Sequence, residues 1–257
     1  MSDLEPTAAQ RIAALVRLER GEEPIDAESM AAIVASLGAE SKEERRRAAG
    51  ALAQAARQRE LIDRVEVILD DEDAERRWGA AFALARSGVE SDAVFDGALE
   101  ALGFDDGDVR WAALEIVVAL AGGGARRATR ADRIHRIVAL ARDSAAAGRK
   151  MALYGLRDLA AGDEGVYTLA LFSADPGVRL AAISGIGRLA RTTLQAHDAL
   201  LITVERDADA GVRRAAAVTL GKVAGAEPRV RAALERIRAT STDVDLVRAA
   251  KRGLPKT

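Results

Sequence analysis

Apolar and polar residues follow each other along the chain with the spacing of amphipathic helices, and one pattern of positions returns several times. The pattern is clearest in three segments: DGDVRWAALEIV from Asp106, DPGVRLAAISGI from Asp175 and DAGVRRAAAVTL from Asp209. A fourth copy begins at Asp73, looser copies begin at Ser41 and Ala145, and a last copy breaks down at Pro255.

A shared arginine marks every copy. These reference arginines, at intervals of 32, 33, 39, 30, 34 and 35 residues, are Arg45, Arg77, Arg110, Arg149, Arg179, Arg213 and Arg248. Self-similarity with a period of roughly 20 to 50 residues is typical of repeat architectures. The sequence therefore predicts stacked copies of one structural unit.

The positions around each reference arginine predict an α-helix. Four residues before it stand aspartates that can accept hydrogen bonds from the free N–H groups of a helix N-terminus: Asp73, Asp106, Asp175 and Asp209. Ser41 has the same place in the first copy, where it forms a capping box with Glu44. Seven residues after the arginine stand apolar residues: Leu52, Leu84, Val117, Leu156, Ile186 and Leu220. We expect these second helices near residues 42–57, 74–87, 107–121, 146–161, 176–191, 210–224 and 244–253.

An amphipathic segment precedes each second helix, and we interpret it as the first helix of a hairpin. The segments are residues 27–37, 60–69, 92–102, 132–142, 165–172, 196–205 and 228–239. Another helix, Ala8–Arg20, comes before the first hairpin and caps the stack. The predicted organisation is a capping helix and linker over residues 1–25 and a single repeat domain over residues 26–257.

The composition excludes several classes of protein. The chain has no cysteine, 3% aromatic residues and a net charge of −2 with 30% charged residues. Disulfides, thiol catalysis and Cys-ligated zinc are therefore excluded, and the basic excess of a general nucleic-acid binder is missing. We expect a cytoplasmic protein, because neither a signal peptide nor a long apolar stretch is visible.

The cores Asp106–Ala113, Asp175–Ala182 and Asp209–Ala216, with the pattern D-x-x-V-R-x-A-A, resemble the HEAT-like repeat family, in the short subtype named after phycobilisome lyases. The resemblance covers roughly residues 26–253. It implies an all-α fold, a right-handed α-α superhelix of about seven helical hairpins, with the second helices on the concave side. It also implies scaffold or adapter roles.

The reference arginine sits in the first turn of its helix, where the positive end of the dipole disfavours a cation. A carboxylate should therefore hold it, and we expect an Asp at the cap of the adjacent repeat, which makes the arginines structural. Contact with a ligand is the alternative.

The position after the arginine varies freely, which suggests that it faces outward. Residues one, five and eight positions after the arginine share one helix face, on which four of the chain's eight aromatic residues fall. We predict a partner-binding face made of Arg46, Trp78, Phe82, Trp111, Glu115, Lys150, Tyr154, Arg157 and Arg214. Packing between helices is the alternative role of the aromatic rings.

The longest interval contains AGGGARRATRA at residues 121–131, a glycine-rich insertion. It could contact an anion through Arg126, Arg127, Arg130 and Arg133, or simply be solvated. His135 and His197 are interpreted as helix-surface residues, and the glycines inside helices as points of close packing. No catalytic constellation, metal site or cofactor is predicted.

The predicted function is a non-enzymatic scaffold or adapter that binds a protein or peptide on its concave face. The resemblance leaves two alternatives, an accessory subunit of a bilin-lyase-type enzyme and a nucleic-acid-binding or repair protein. Bilin binding would favour the first and a salt-dependent gel shift the second.

Overall fold

The computed structural model describes residues 6–123 and 127–254, except for the side chains at positions 59, 60 and 127. All regular structure in these ranges is helical, with fifteen α-helices and one 3₁₀ turn. The all-α prediction is therefore confirmed. The chain divides into two compact units, residues 1–120 and 121–257. Each is described by itself, and a single repeat domain stays a prediction.

The amino-terminal unit contains a leading helix and three helical hairpins. The helices are α1 (Ala8–Glu19), α2 (Ala27–Leu37), α3 (Lys42–Ala55), α4 (Arg59–Glu66) continued by a 3₁₀ turn (Val67–Asp70), α5 (Ala74–Arg86), α6 (Asp92–Ala101) and α7 (Gly107–Gly122). Both α1 and α2 pack against α3, which packs in turn on α5, and α6 packs on the other side of α5.

The carboxyl-terminal unit contains four hairpins. Their helices are α8 (Arg127–Asp143), α9 (Ala146–Asp158), α10 (Glu164–Ala170), α11 (Pro176–Ile186), α12 (Leu194–Arg206), α13 (Ala210–Ala224), α14 (Pro228–Thr240) and α15 (Val244–Gly253). The second helices pack in sequence, α9 on α11, α11 on α13 and α13 on α15, while each first helix lies against its own partner.

The repeated apolar position forms the core of both units. All six residues predicted seven positions after the reference arginines are completely buried: Leu52, Leu84, Val117, Leu156, Ile186 and Leu220. The caps are confirmed as well, because Asp73, Asp175 and Asp209 each accept a hydrogen bond from a backbone N–H in the first turn of their helix. The local pattern thus sets both where these helices begin and which face they bury.

The reference arginines connect loops to neighbouring repeats. Arg179 donates through Nη1 to the carbonyl oxygens of Ser173 and Ala174, at 2.8 and 2.9 Å. Its Nε and Nη2 form a bidentate pair with Asp207 at 2.7 and 2.8 Å. Corresponding loop carbonyls accept from Arg45, Arg77, Arg110 and Arg213.

The expected carboxylate partner is therefore present, but its position differs from the prediction. Among the described residues, a capping aspartate pairs with a reference arginine only at Arg213 and Asp243, 3.5 Å apart, whereas Arg45 pairs with Glu75 and Arg77 with Glu100. The bonds to the loop carbonyls explain why an arginine recurs at this position of the repeat. A residue at this site must donate to two carbonyl oxygens of the loop before its helix and also to a carboxylate, and an arginine has enough donors for both tasks.

Glu44 does not complete the predicted capping box. Ser41 accepts from the Glu44 N–H, but the Glu44 side chain turns inward and is 2% exposed. Its carboxylate accepts from Arg11 Nε at 2.7 Å, Arg11 Nη2 at 3.1 Å and the Ser36 hydroxyl at 3.1 Å. The hydrogen bonds from Arg11 lower the pKa of Glu44. This buried acid therefore ties α1 and α2 to α3.

Glycines in the helices mark close contacts, as predicted. A Cβ at Gly185 would overlap the ring of Tyr167, which is almost fully buried on α10. A Cβ at Gly221 would overlap the backbone of Gly253, so α13 and α15 approach nearly backbone to backbone. Burial also raises the pKa of Tyr167 to about 12.

Two helix boundaries differ most from the expectation. Helix α11 ends at Ile186 rather than at residue 191, because the N–H groups of Arg188 and Leu189 donate to the carbonyls three residues before them, which tightens the last turn. The segment 121–131 is not one long connection, since α7 continues to Gly122 and α8 already begins at Arg127. The alanines and arginines after position 126 are good helix formers, and they extend α8.

Candidate functional site

The second helices of the amino-terminal unit enclose a groove with a volume of 370 Å³. Trp78, Gly79 and Phe82 of α5 line it, together with Ala49 of α3 and Ala112 of α7. The rings of Trp78 and Phe82 lie 5.5 Å apart in a tilted arrangement. We call this cavity the amino-terminal groove.

Ion pairs occupy one edge of the amino-terminal groove. Lys42 Nζ on α3 lies 3.0 Å from Asp106 and 2.8 Å from Asp108, so it connects the first residues of α3 and α7. The hydrogen bond that Lys42 donates to Asp108, and then the one that it donates to Asp106, raises the pKa of Lys42. Arg45 and Glu75 form a second pair at 3.3 Å. These charges are neutralised within the protein.

The other edge carries arginines without a carboxylate partner. Arg46 lines the groove and also an adjoining cavity of 300 Å³, to which Arg57 and Arg86 belong. Glu19 lines the same cavity and pairs with Arg47 at 3.1 Å. Arg86 lies over the Phe82 ring at 5.8 Å, and Arg57 donates to Gln54 at 3.3 Å. Within residues 6–123 no carboxylate pairs with any of the three guanidiniums. The edge around Phe82 is therefore positively charged.

The two tryptophans differ in exposure. Trp78 is 7% exposed, whereas Trp111 is 52% exposed and Glu115 beside it is also on the surface. The expectation that the position after the arginine faces outward is confirmed for Arg46 and Trp111 and wrong for Trp78. Trp78 is buried because it packs against Phe82 between α3 and α7, so it forms the floor of the groove.

The remaining residues of the predicted face lie in the carboxyl-terminal unit. Arg157 lies over the Tyr154 ring at 4.9 Å and also binds Asp158 at 2.7 Å. Lys150 is half-buried, and Arg214 pairs with Asp245 at 3.0 Å. The structure thus brings Arg46, Trp78 and Phe82 together, and it places Tyr154 and Arg157 together in the other unit. That all of them bind one partner stays a prediction.

The predicted anionic contact in the insertion is only partly described. Arg126 lies outside the described residues, and so does the side chain of Arg127. Arg133 is buried, and Arg130 donates to the carbonyl oxygens of Gly122 at 3.4 Å and Leu159 at 3.5 Å. These two arginines therefore act within the fold, because α8 turns them toward neighbouring helices.

The histidines have different environments. His135 is exposed, as expected, but His197 is buried, with Nε2 2.7 Å from Thr192 Oγ1 and Nδ1 2.6 Å from Glu227. The surface assignment of His197 is wrong because the imidazole lies between the loop before α12 and the loop before α14. In the part of the chain that the structure describes, no three His, Asp or Glu side chains are grouped as metal ligands. Nor is any described helix both long and apolar enough to span a membrane.

Sequence reasoning missed Lys42, Arg57 and Arg86. Arg57 and Arg86 lie outside the repeated positions. Arg86 follows Phe82 by one helical turn on α5, so i,i+4 spacing could have found that contact, whereas only the packing of α3 on α5 brings Arg57 to the same cavity. The contact of Lys42 with Asp106 joins residues 64 positions apart. The sequence pattern within one repeat does not predict which residues of non-adjacent repeats come into contact.

Comparison with known proteins agrees with this architecture. The family profile described as HEAT repeats matches residues 164–254, which contain α10 to α15. The resemblance to HEAT repeats is confirmed there. No curated protein matches the chain.

Two solved structures are similar to the chain. The YibA protein of Escherichia coli is 16% identical, with a TM-score of 0.49, over 99% of this chain and 100% of that one. An engineered protein is 22% identical, with a TM-score of 0.47, over 97% of this chain and 75% of that one.

Proposed function

We propose that this HEAT-repeat chain is a non-enzymatic interaction module that binds an acidic, amphipathic helical peptide in the amino-terminal groove. The observation that carries the proposal is an apolar cavity beside an edge whose three arginines, Arg46, Arg57 and Arg86, form no ion pair within the described unit, where Glu19 is paired with Arg47. HEAT repeats commonly serve as protein-interaction scaffolds, which supports this class of function.

The groove has the features of an anchor pocket. Its volume of 370 Å³ suits one or two large apolar side chains, and its floor is made of Trp78 and Phe82. Buried aromatic floors surrounded by polar rims provide most of the binding free energy in many interfaces. An apolar anchor of the partner would displace water from this floor.

The charge of the edge selects the partner. Because Lys42 and Arg45 already have carboxylate partners, Arg46, Arg57 and Arg86 are the cations available on this side. Carboxylates one helical turn from the anchor would lie near these guanidiniums. Such pairs raise the association rate and fix the orientation of the peptide. Exposed Trp111 extends the apolar surface on α7.

The test is a selection of helical peptides from a display library, followed by affinity measurements with variants. We expect the selected peptides to share an apolar anchor with acidic flanks. Arg46→Glu should lower the affinity for these peptides by about tenfold or more, since it replaces an attraction between opposite charges by a repulsion between like charges. Arg64→Glu makes the same charge change at an exposed site on α4 and should have little effect.

A second pair of variants tests the cavity itself. Ala49→Met fills the groove from α3 and should abolish binding, whereas Ala49→Ser keeps the volume and should preserve it. Circular dichroism of both variants should match that of the parent. Trp78→Ala is unsuitable as a test because this side chain is part of the core. Peptides that bind Ala49→Met and Arg46→Glu as tightly as the parent would refute the proposal.

A further inference from the structure

A second cavity, in the carboxyl-terminal unit, has a positively charged lining. Its volume is 590 Å³, and it lies where α9, α11 and α13 end. Four of the ten lining residues are cationic, and none is acidic: Arg157, Ala160, Gly187, Arg188, Leu189, Ala190, Arg191, Thr192, Lys222 and Val223. We call it the carboxyl-terminal pocket. It shares no residue with the amino-terminal groove.

Most of the positive charge in this pocket has no carboxylate partner. Arg157 binds Asp158, but within the described residues Lys222 donates only to the backbone oxygen of Gly187, at 2.5 Å. The side chains of Arg188 and Arg191 are exposed and form no hydrogen bond or ion pair with any residue the structure describes. Three cations therefore border one cavity without a counter-charge.

Stabilisation of helix C-termini explains the position of only some of the cations in the carboxyl-terminal pocket. Cations are favourable near helix C-termini, and Lys222 has that role at Gly187. Arg188 and Arg191 do not bind the terminal carbonyls. Like charges around a concave surface repel each other, and an anion placed between them removes that repulsion.

The backbone of the same loop adds further donors. The N–H groups of Ala190, Arg191 and Thr192 donate to no acceptor within the described part of the chain. Such N–H groups can donate hydrogen bonds to an anion. Leu189 and Val223 give the pocket a small apolar wall.

We propose that the carboxyl-terminal pocket binds a small molecule that carries two or more phosphate groups. The guanidinium forks of Arg188 and Arg191 match the oxygen geometry of phosphates. The ammonium of Lys222 contributes a third charge. A single phosphate would fill only a small part of 590 Å³, so the remaining space accommodates a second phosphate and a compact organic body.

Isothermal titration calorimetry with inorganic pyrophosphate tests this site in the intact chain. At about 50 mM salt, where screening is weak, we expect saturable binding at one site per chain. The double variant Arg188→Gln/Arg191→Gln should weaken it by about tenfold or more. These side chains have no partner in the described protein, so the variant should keep its fold.

The matched control is Arg206→Gln/Arg238→Gln, which removes the same charge from exposed sites on α12 and α14. It should change the affinity less than about twofold, because distant charges are screened. Equal weakening by both double variants would show diffuse attraction and overturn the proposal. Absence of pyrophosphate binding would also overturn it, as would sulfate binding of equal strength. Binding of an oligonucleotide alone, lost in Arg188→Gln/Arg191→Gln, would assign the pocket to nucleic acid instead.

Discussion

Replacing Glu44 by Gln tests how the leading helix is held to the first repeat. The substitution keeps the shape of a side chain that is 2% exposed and removes its charge. It leaves Arg11 with at most one of its two hydrogen bonds at this side chain, and that bond then has a neutral acceptor. Hydrogen bonds to charged groups contribute about 1.5 to 3 kcal/mol each. Because Arg11 is 40% exposed and can regain water, we expect a net loss of about 2 kcal/mol.

The loss should be local. In repeat proteins each element depends mainly on its neighbours, so the substitution should promote detachment of α1 rather than global unfolding. About 2 kcal/mol corresponds to about 30-fold faster amide hydrogen exchange in Ala8–Glu19. Hydrogen-exchange mass spectrometry measures this directly. Glu43→Gln, at an exposed neighbouring position, is the control.

The effect should also depend on pH. The pKa of Glu44 is lowered by Arg11, so its contribution to stability is present above the ordinary glutamate pKa of about 4.3. It is lost as the pH falls through the lowered pKa of the folded state. The difference between parent and Glu44→Gln should therefore narrow in acid. Unchanged exchange in α1 at pH 7, or a difference that grows as the pH falls, would contradict the reasoning.

Three further substitutions test the packing of the carboxyl-terminal unit by chemical denaturation. Ala160 has a φ of 50°, in the left-handed region, so Ala160→Gly should raise the free energy of unfolding by about 0.5 to 1 kcal/mol. A lower free energy of unfolding would show that the substitution relieves no strain. Gly185→Ala should cost about 1 to 3 kcal/mol because its methyl group would overlap a buried tyrosine ring, and a neutral effect would show that the ring can move. Arg179→Ala leaves Asp207 buried without its bidentate partner and should cost about 3 kcal/mol. Arg149→Ala should lower the free energy of unfolding much less, because the buried Nε of Arg149 has no hydrogen-bond partner in the described structure. Equal losses in Arg179→Ala and Arg149→Ala would refute the role of the ion pair.

The candidate site was only partly predictable. Helical spacing correctly placed Trp78 and Phe82 on one helix face, since that relation depends only on 3.6 residues per turn. It could not show that Trp78 is the floor and Trp111 is exposed. Exposure depends on which helix covers a side chain, and that is a property of the packed unit.

The contacts of the reference arginines were also only partly predictable from the sequence. Their position in the first turn predicted a carboxylate partner, because an uncompensated cation is unfavourable there. The identity of that partner varies among Glu75, Glu100, Asp207 and Asp243, since it depends on the offset between successive hairpins. The local sequence pattern predicts that the arginine needs a carboxylate partner, but it does not predict which residue supplies the carboxylate.

By itself, the sequence determined the helices, most of their caps and the apolar face that each one buries, because these follow from interactions within one or two turns. Only the tertiary structure decided that Glu44 turns inward, that Arg130 and Arg133 serve the fold, and that cations gather around the two cavities. Those outcomes depend on contacts between residues far apart in the chain, whose distances are set by how the helices pack.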